Sequence, residues 1–295
     1  MKNHKLKKMQ ATEIVAIIIM VFLAFLCLFP FLNMFALSFS SKANINLGNV
    51  TMWPKGWNLD AYKYILKESQ FWRSLKISVL RVLVGVPTNV LFAIITAYPL
   101  SKSSKKFKAR TVYIWILFIT MLVGGGIVPW YFLLVKLHLI DSFWALILPG
   151  AVPVYSIILL SNFYRQLPRA LEEAAIMDGA SHFQILFKIY VPLSMASIAT
   201  ITLFSLVWHW NSWFDGMLLN NNIQNYPLAS YFQYILVGKG SDHSGIIALD
   251  QVYPNISAES IRAAGVILSI IPIIISFPFV QKHFKKGLVV GSVKE

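Results

Sequence analysis

The chain has 295 residues, 57% of them apolar and only 13% charged. Soluble domains carry about 25% charged residues, so most of this surface is not built for water and a polytopic membrane protein is the class left. The formal charge of +14 sits mainly between apolar runs, where membrane topology accounts for it. No soluble basic domain presents that charge, so nucleic acid is not expected as a partner.

Met1 to Lys8 is basic and precedes an apolar run from Ile14 to about Phe39. That run exceeds a signal core of about 7–15 residues and lacks a small-x-small cleavage site, so it reads as a retained span. Cys27 lies inside it as the single cysteine, which excludes an intrachain disulfide. Six spans are predicted, at 12–40, 72–101, 111–135, 143–164, 192–220 and 261–281, each near the roughly 20 residues that cross a bilayer. The second opens with Arg73, Lys76 and Arg81, so its outer third is expected to face protein or the interface rather than lipid. Pro87, Pro99, Pro129, Pro153 and Pro272 interrupt the spans, which is tolerated where neighbours satisfy the freed carbonyls.

Basic residues cluster in alternate connections: Lys2 to Lys8, Lys102 to Arg110, then Arg165, Arg169 and Lys188, then the tail from Lys282. By the positive-inside rule both termini are predicted to be cytoplasmic. On the other side 136–142 is a tight turn, whereas 41–71 and 221–260 are long, polar and aromatic-rich. Such loops suit either docking of an extracellular partner or a plain connection. The expected organisation is an all-α membrane protein. It comprises an N-terminal part (1–71), a core of five spans (72–281) holding a cytoplasmic loop at 163–191, and a C-terminal tail (282–295).

That loop is the most informative stretch. Pro168 suits a helix start, Leu171 to Asp178 holds good helix formers, and Gly179 permits a turn. Phe183, Leu186 and Phe187 then recur at helical spacing, and the stretch ends at Pro192. Helix, glycine turn, helix is the predicted form. Acids at Glu172, Glu173 and Asp178 and small side chains at Ala174, Ala175 and Ala180 suit a plug for a groove in a soluble partner. An interfacial amphipathic helix would look similar.

Glu173-Ala174-Ala175, two residues, then Asp178-Gly179-Ala180 and a hydrophobic stretch to Pro192 resembles the EAA motif. It marks permease subunits of binding-protein-dependent ABC importers. Asn58-Leu59-Asp60-Ala61-Tyr62, Ala97-Tyr98-Pro99-Leu100-Ser101 and Gly287 to Lys294 resemble other segments of that family, in its carbohydrate branch. Gly124 to Pro129 with Trp144 to Pro149 is similar to a Gram-positive oligosaccharide subgroup. The first of these departs from the family where Ala61 replaces asparagine. The resemblance implies a type I importer permease with six transmembrane helices in the cell membrane. Its coupling helix would carry Glu172, Glu173, Ala174, Ala175, Asp178, Gly179, Ala180 and Phe183. It also implies a second permease subunit, two ATP-binding subunits that hold ATP and Mg, and an extracellular solute-binding lipoprotein.

Trp208-His209-Trp210-Asn211-Ser212-Trp213 is the densest aromatic cluster. Trp208, Trp210, Asn211 and Trp213 suit a sugar pathway, since rings stack on C–H faces and amides bind hydroxyls. They equally suit an interfacial aromatic belt or helix packing. Asp215 in the same span either reaches water or serves a proton relay. The histidines show no metal spacing, and no phosphate loop or catalytic constellation occurs. No cofactor of its own and no enzymatic activity are expected. Peptide or amino acid cargo, or a secondary carrier, are the alternatives to an oligosaccharide importer.

Overall fold

The computed structural model describes residues 11–235 and 255–291, which form helices and turns with no β-strand among them. The chain divides into two compact units, Met1–Glu68 with Ile235–Ile270, and Ser69–Tyr234 with Ile271–Glu295. In the first, helix α1 (Ala11–Ser38) exposes its apolar side chains from Ile14 to Phe31, as a lipid-facing span does. The loop after it is folded rather than open. Helices α2 (Lys42–Asn46) and α3 (Asp60–Lys67) follow. Ile45 and Val50 pack with Ala36, and the Tyr62 hydroxyl donates to Ser38 Oγ at 2.9 Å.

The second unit is built around α4 (Ser69–Ser101). In chain order follow α5 (Arg110–Leu122), α6 (Ile127–Lys136), α7 (Val154–Gln166), α8 (Arg169–Met177) and α9 (His182–Ile185). A π-helical turn, Leu186–Tyr190, leads to α10 (Val191–Leu193), α11 (Met195–Asn211), α12 (Phe214–Leu219) and α13 (Leu228–Gln233). The last helix, α14 (Ala258–Gly291), starts in the first unit. Small residues Ala93 and Ala97 let α4 pack closely on α7 and α11, around a core of Ile157, Leu160, Tyr164, Ile198 and Ile201.

Among the described residues three helical stretches are long and apolar enough to cross a membrane alone: Thr12–Ser38, Ser69–Ser101 and Ala258–Ile275. Three more stretches qualify only as bent pairs, so that up to six spans fit. Bends divide the third, fourth and fifth predicted spans. α5 and α6 meet at 112°, the pair 143–150 and 154–166 at 43°, and 182–193 and 195–211 at 84°.

Two of the breaks have a local cause, and one of them a visible remedy. Between α5 and α6, Gly126 takes φ +84°, a value that favours glycine. Before α7, Pro149 and Pro153 withdraw backbone donors, and the Asn89 amide of α4 donates to the freed carbonyls of Gly150 (2.6 Å) and Ala151 (3.1 Å). The same Asn89 accepts, on Oδ1, from Ser205 Oγ (2.8 Å) and meets His209 Nε2 (2.6 Å) on α11. Beyond α11, the carbonyl of Ser212 accepts from Arg81 and that of Trp213 from Ser230. At these four carbonyls the irregular backbone is satisfied by protein side chains, as a bilayer requires.

Candidate functional site

α8 and α9 form the helix–turn–helix predicted over the loop. α8 ends because Gly179 adopts φ +77°. Its N–H donates to Ile176 O (3.0 Å) and that of Ala180 to Ala175 O (2.9 Å), the paired bonds of a Schellman cap. Two residues on, Ser181 and Gln184 form a reciprocal capping box that starts α9. The two caps, back to back, leave the connection short and stiff.

The outer face is open. Glu173, Ala174, Asp178 and Gly179 are exposed, and Met177 and Phe183 are 87% and 69% exposed. The inner face is fixed. Ala175 and Ala180 are half-buried against the core that contains Ile185 and Leu186. Glu172 is turned inward, so its carboxylate is engaged within the chain rather than on the outer face. It accepts from Lys102 Nζ at 2.9 Å and from the Tyr190 hydroxyl at 2.8 Å, with Lys106 Nζ at 3.5 Å. Lys102 follows the last residue of α4, and its ammonium lies over the rings of Tyr98 (3.8 Å) and Tyr190 (4.3 Å). The Tyr98 hydroxyl is 3.2 Å from His182 Nδ1 on α9. Arg110 Nε and an Arg165 guanidinium nitrogen both donate to the Leu100 carbonyl, closing the C-terminus of α4 with cations.

Electrostatics tightens this anchor. Burial alone would raise the Glu172 carboxyl, but hydrogen bonds from Lys102 and Tyr190 and the charges of Lys102 and Lys106 hold it below its ordinary value. Burial draws the Lys102 ammonium down despite Glu172 beside it. The pair has thus left water together, with aromatic faces supplying part of the lost solvation.

The aromatic cluster is split. Trp208, Asn211 and Trp213 line an open depression of about 640 Å³ with Phe204 and Phe214. Trp210 is buried and does not line it. Asp215, read from sequence as water-reaching or a relay, is ion-paired with Arg81 and also accepts from Ser212 Oγ and the Gly216 N–H. Arg81 is fully buried and its guanidinium lies 5.6 Å from the Trp208 ring, so it faces protein as expected, whereas Arg73 and Lys76 are exposed. The sequence flagged both charges but carried no signal that they pair across two helices. No cluster of three or more metal-ligating side chains occurs among the described residues. The loop 221–260 is described up to 235 and from 255, and its middle, like the basic N-terminal residues and the tail from 292, lies outside the described residues. In its described part, Asn221 donates twice to Asp141 (2.6 and 2.7 Å) and holds that carboxyl below its ordinary value.

Comparison with known proteins agrees with this architecture. Residues 66–290 match the family described as binding-protein-dependent transport system inner membrane component. Protein LplC of Bacillus subtilis is 35% identical over 90% of this chain and 88% of its own. The polygalacturonan/rhamnogalacturonan transport system permease protein YtcP of the same organism is 33% identical over 92% of this chain and 94% of its own. A chain from the crystal structure of a bacterial ABC transporter involved in the import of the acidic polysaccharide alginate superposes with a TM-score of 0.84. It is 31% identical and the match covers 94% of this chain and 99% of that one.

Proposed function

The chain belongs to the binding-protein-dependent transport system inner membrane components, and from this we propose that it is one membrane subunit of an ATP-driven importer of oligosaccharides. Relatives named for polygalacturonan/rhamnogalacturonan and for arabinooligosaccharides support the cargo class. In this reading the bent pairs complete six spans, both termini are cytoplasmic, and α8–Gly179–α9 is a coupling element inside the cell. A second permease subunit completes the pathway. Two ATP-binding subunits, which hold ATP and Mg, grip the exposed face formed by Glu173, Ala174, Asp178, Gly179 and Phe183. An extracellular solute-binding lipoprotein delivers the sugar, with the loop 221–260 as its docking surface. Trp208, Asn211 and Trp213 offer stacking and hydrogen-bonding groups to the pathway.

One observation carries the coupling role: the element is open on its outer face and fastened on its inner face, through Glu172, to the end of α4. A force on α8 therefore reaches a span without passing through a flexible joint. Gly179→Val tests it, because a β-branched residue resists φ +77° while the space around Gly179 is open. In proteoliposomes holding the whole complex, uptake per ATP hydrolysed is expected to fall about five-fold or more. Unchanged coupling in that variant would overturn the reading.

A further inference from the structure

Next to the anchor lies a cavity of about 280 Å³ whose wall carries Lys106, Arg110, Arg165 and Arg169, besides the Lys102–Glu172 pair and Glu173. Lys102 and Glu172 neutralise each other at 2.9 Å. Lys106 also reaches Glu172, at 3.5 Å, so three cations, Arg110, Arg165 and Arg169, face one further carboxylate, Glu173. Two further features give the excess a direction. Tyr164 also lines the cavity; it is 2% exposed and its buried hydroxyl has no hydrogen-bond partner. The N-terminus of α8 has no side-chain cap, and its first turn holds Arg169 beside Glu172, whose carboxylate is already paired with Lys102, at a pole where the helix dipole favours an anion. Arg110 and Arg165 each give one N–H to the Leu100 carbonyl, and their net charge, with that of Arg169 at the positive pole of α8, draws a negative group to the cavity.

Position narrows the ligand. Ser101 ends α4, Arg110 begins α5, Arg165 stands in the last turn of α7, and all three line the cavity. The ends of three apolar helices meet there, which is the depth of lipid headgroups. Guanidinium groups hold phosphate oxygens by paired hydrogen bonds, and basic pockets between helix ends take anionic headgroups. We propose that this cavity binds the phosphate of an anionic phospholipid, and that the bound lipid braces α8 against the ends of α4, α5 and α7.

The test needs neither cargo nor ATP, so it stands or falls apart from the transport reading. The full chain, purified in detergent with the subunits that accompany it, is titrated with phosphatidylglycerol, phosphatidylcholine or inorganic phosphate while its thermal midpoint is followed. Phosphatidylglycerol is expected to raise the midpoint and phosphatidylcholine to leave it. Arg169→Gln and Arg165→Gln should each raise the half-saturating amount of phosphatidylglycerol about five-fold. Tyr164→Phe should raise it by a smaller factor, and Lys108→Gln, an exposed lysine of the same turn outside the cavity, should not change it. Equal responses to the two lipids, or equal responses of Arg169→Gln and Lys108→Gln, would overturn the proposal. Inorganic phosphate reproducing the full effect would replace the lipid by a soluble anion. If Arg169→Gln leaves the lipid response intact but loses an accompanying subunit, the cavity instead receives a carboxylate from that protein.

Discussion

The Glu172 carboxylate is held by Lys102 and Tyr190 within the chain and not on the exposed face of α8. Its side chain and that of Lys102 are 6% and 10% exposed, so removing either charge strands the other away from water. Glu172→Gln is expected to cost about 3–5 kcal/mol in unfolding experiments on the purified subunit. The double variant Glu172→Gln with Lys102→Met should regain most of it, since two well-packed neutral groups replace an ion pair at little net cost. A double variant as unstable as the single one would show that the pair is not what holds the loop. The pH dependence has a definite sign. The folded carboxyl titrates below its ordinary value, so its stabilisation is complete above about pH 4.3 and fades as pH falls through the lower folded value. Glu172→Gln should flatten that acid limb of the stability curve. Both residues were visible in the sequence, Lys102 as a topology marker and Glu172 as one acid of the loop. Their partnership was not, because it joins positions far apart in the chain.

At the scale of elements, the bend angles of the broken spans are what the sequence pattern left open. Hydropathy reports that a stretch is apolar, and proline and glycine report where it can bend. Neither reports the angle, which depends on what packs against the break. Asn89 settles one of them by donating to two carbonyls and accepting from α11. Asn89→Leu is expected to leave Gly150, Ala151 and Ser205 without those bonds, at about 1–3 kcal/mol per orphaned group. Thr88→Val, one position away, removes only a bond to the helix's own Val84 carbonyl and should be close to neutral. Thermal unfolding of the two variants side by side checks this, and similar midpoints would mean that the break is satisfied by other means. The helix–glycine–helix loop is the opposite case. Its caps are local: the Gly179 turn was read from the sequence, and the structure adds the Ser181–Gln184 capping box.

For the whole molecule, the composition and the exposed apolar surface of α1 call for a bilayer. The proposed division of labour makes a further prediction. Proteoliposomes containing this chain without ATP-binding subunits should take up no oligosaccharide above the level of empty vesicles. Uptake by the chain alone would restore the secondary-carrier alternative.

Membrane class, the positions of the apolar stretches and the helix–glycine–helix form of the loop follow from the sequence by itself. They depend on composition and on interactions within a few residues, and the EAA resemblance rests on such a contiguous stretch. Tertiary structure alone decided that Glu172 faces inward while Glu173 faces out, that Trp210 leaves the wall formed by Trp208 and Trp213, and that Arg81 meets Asp215. Each of these depends on which helix lies against which, and side-chain identity read along one helix carries no record of the neighbour that will cover it.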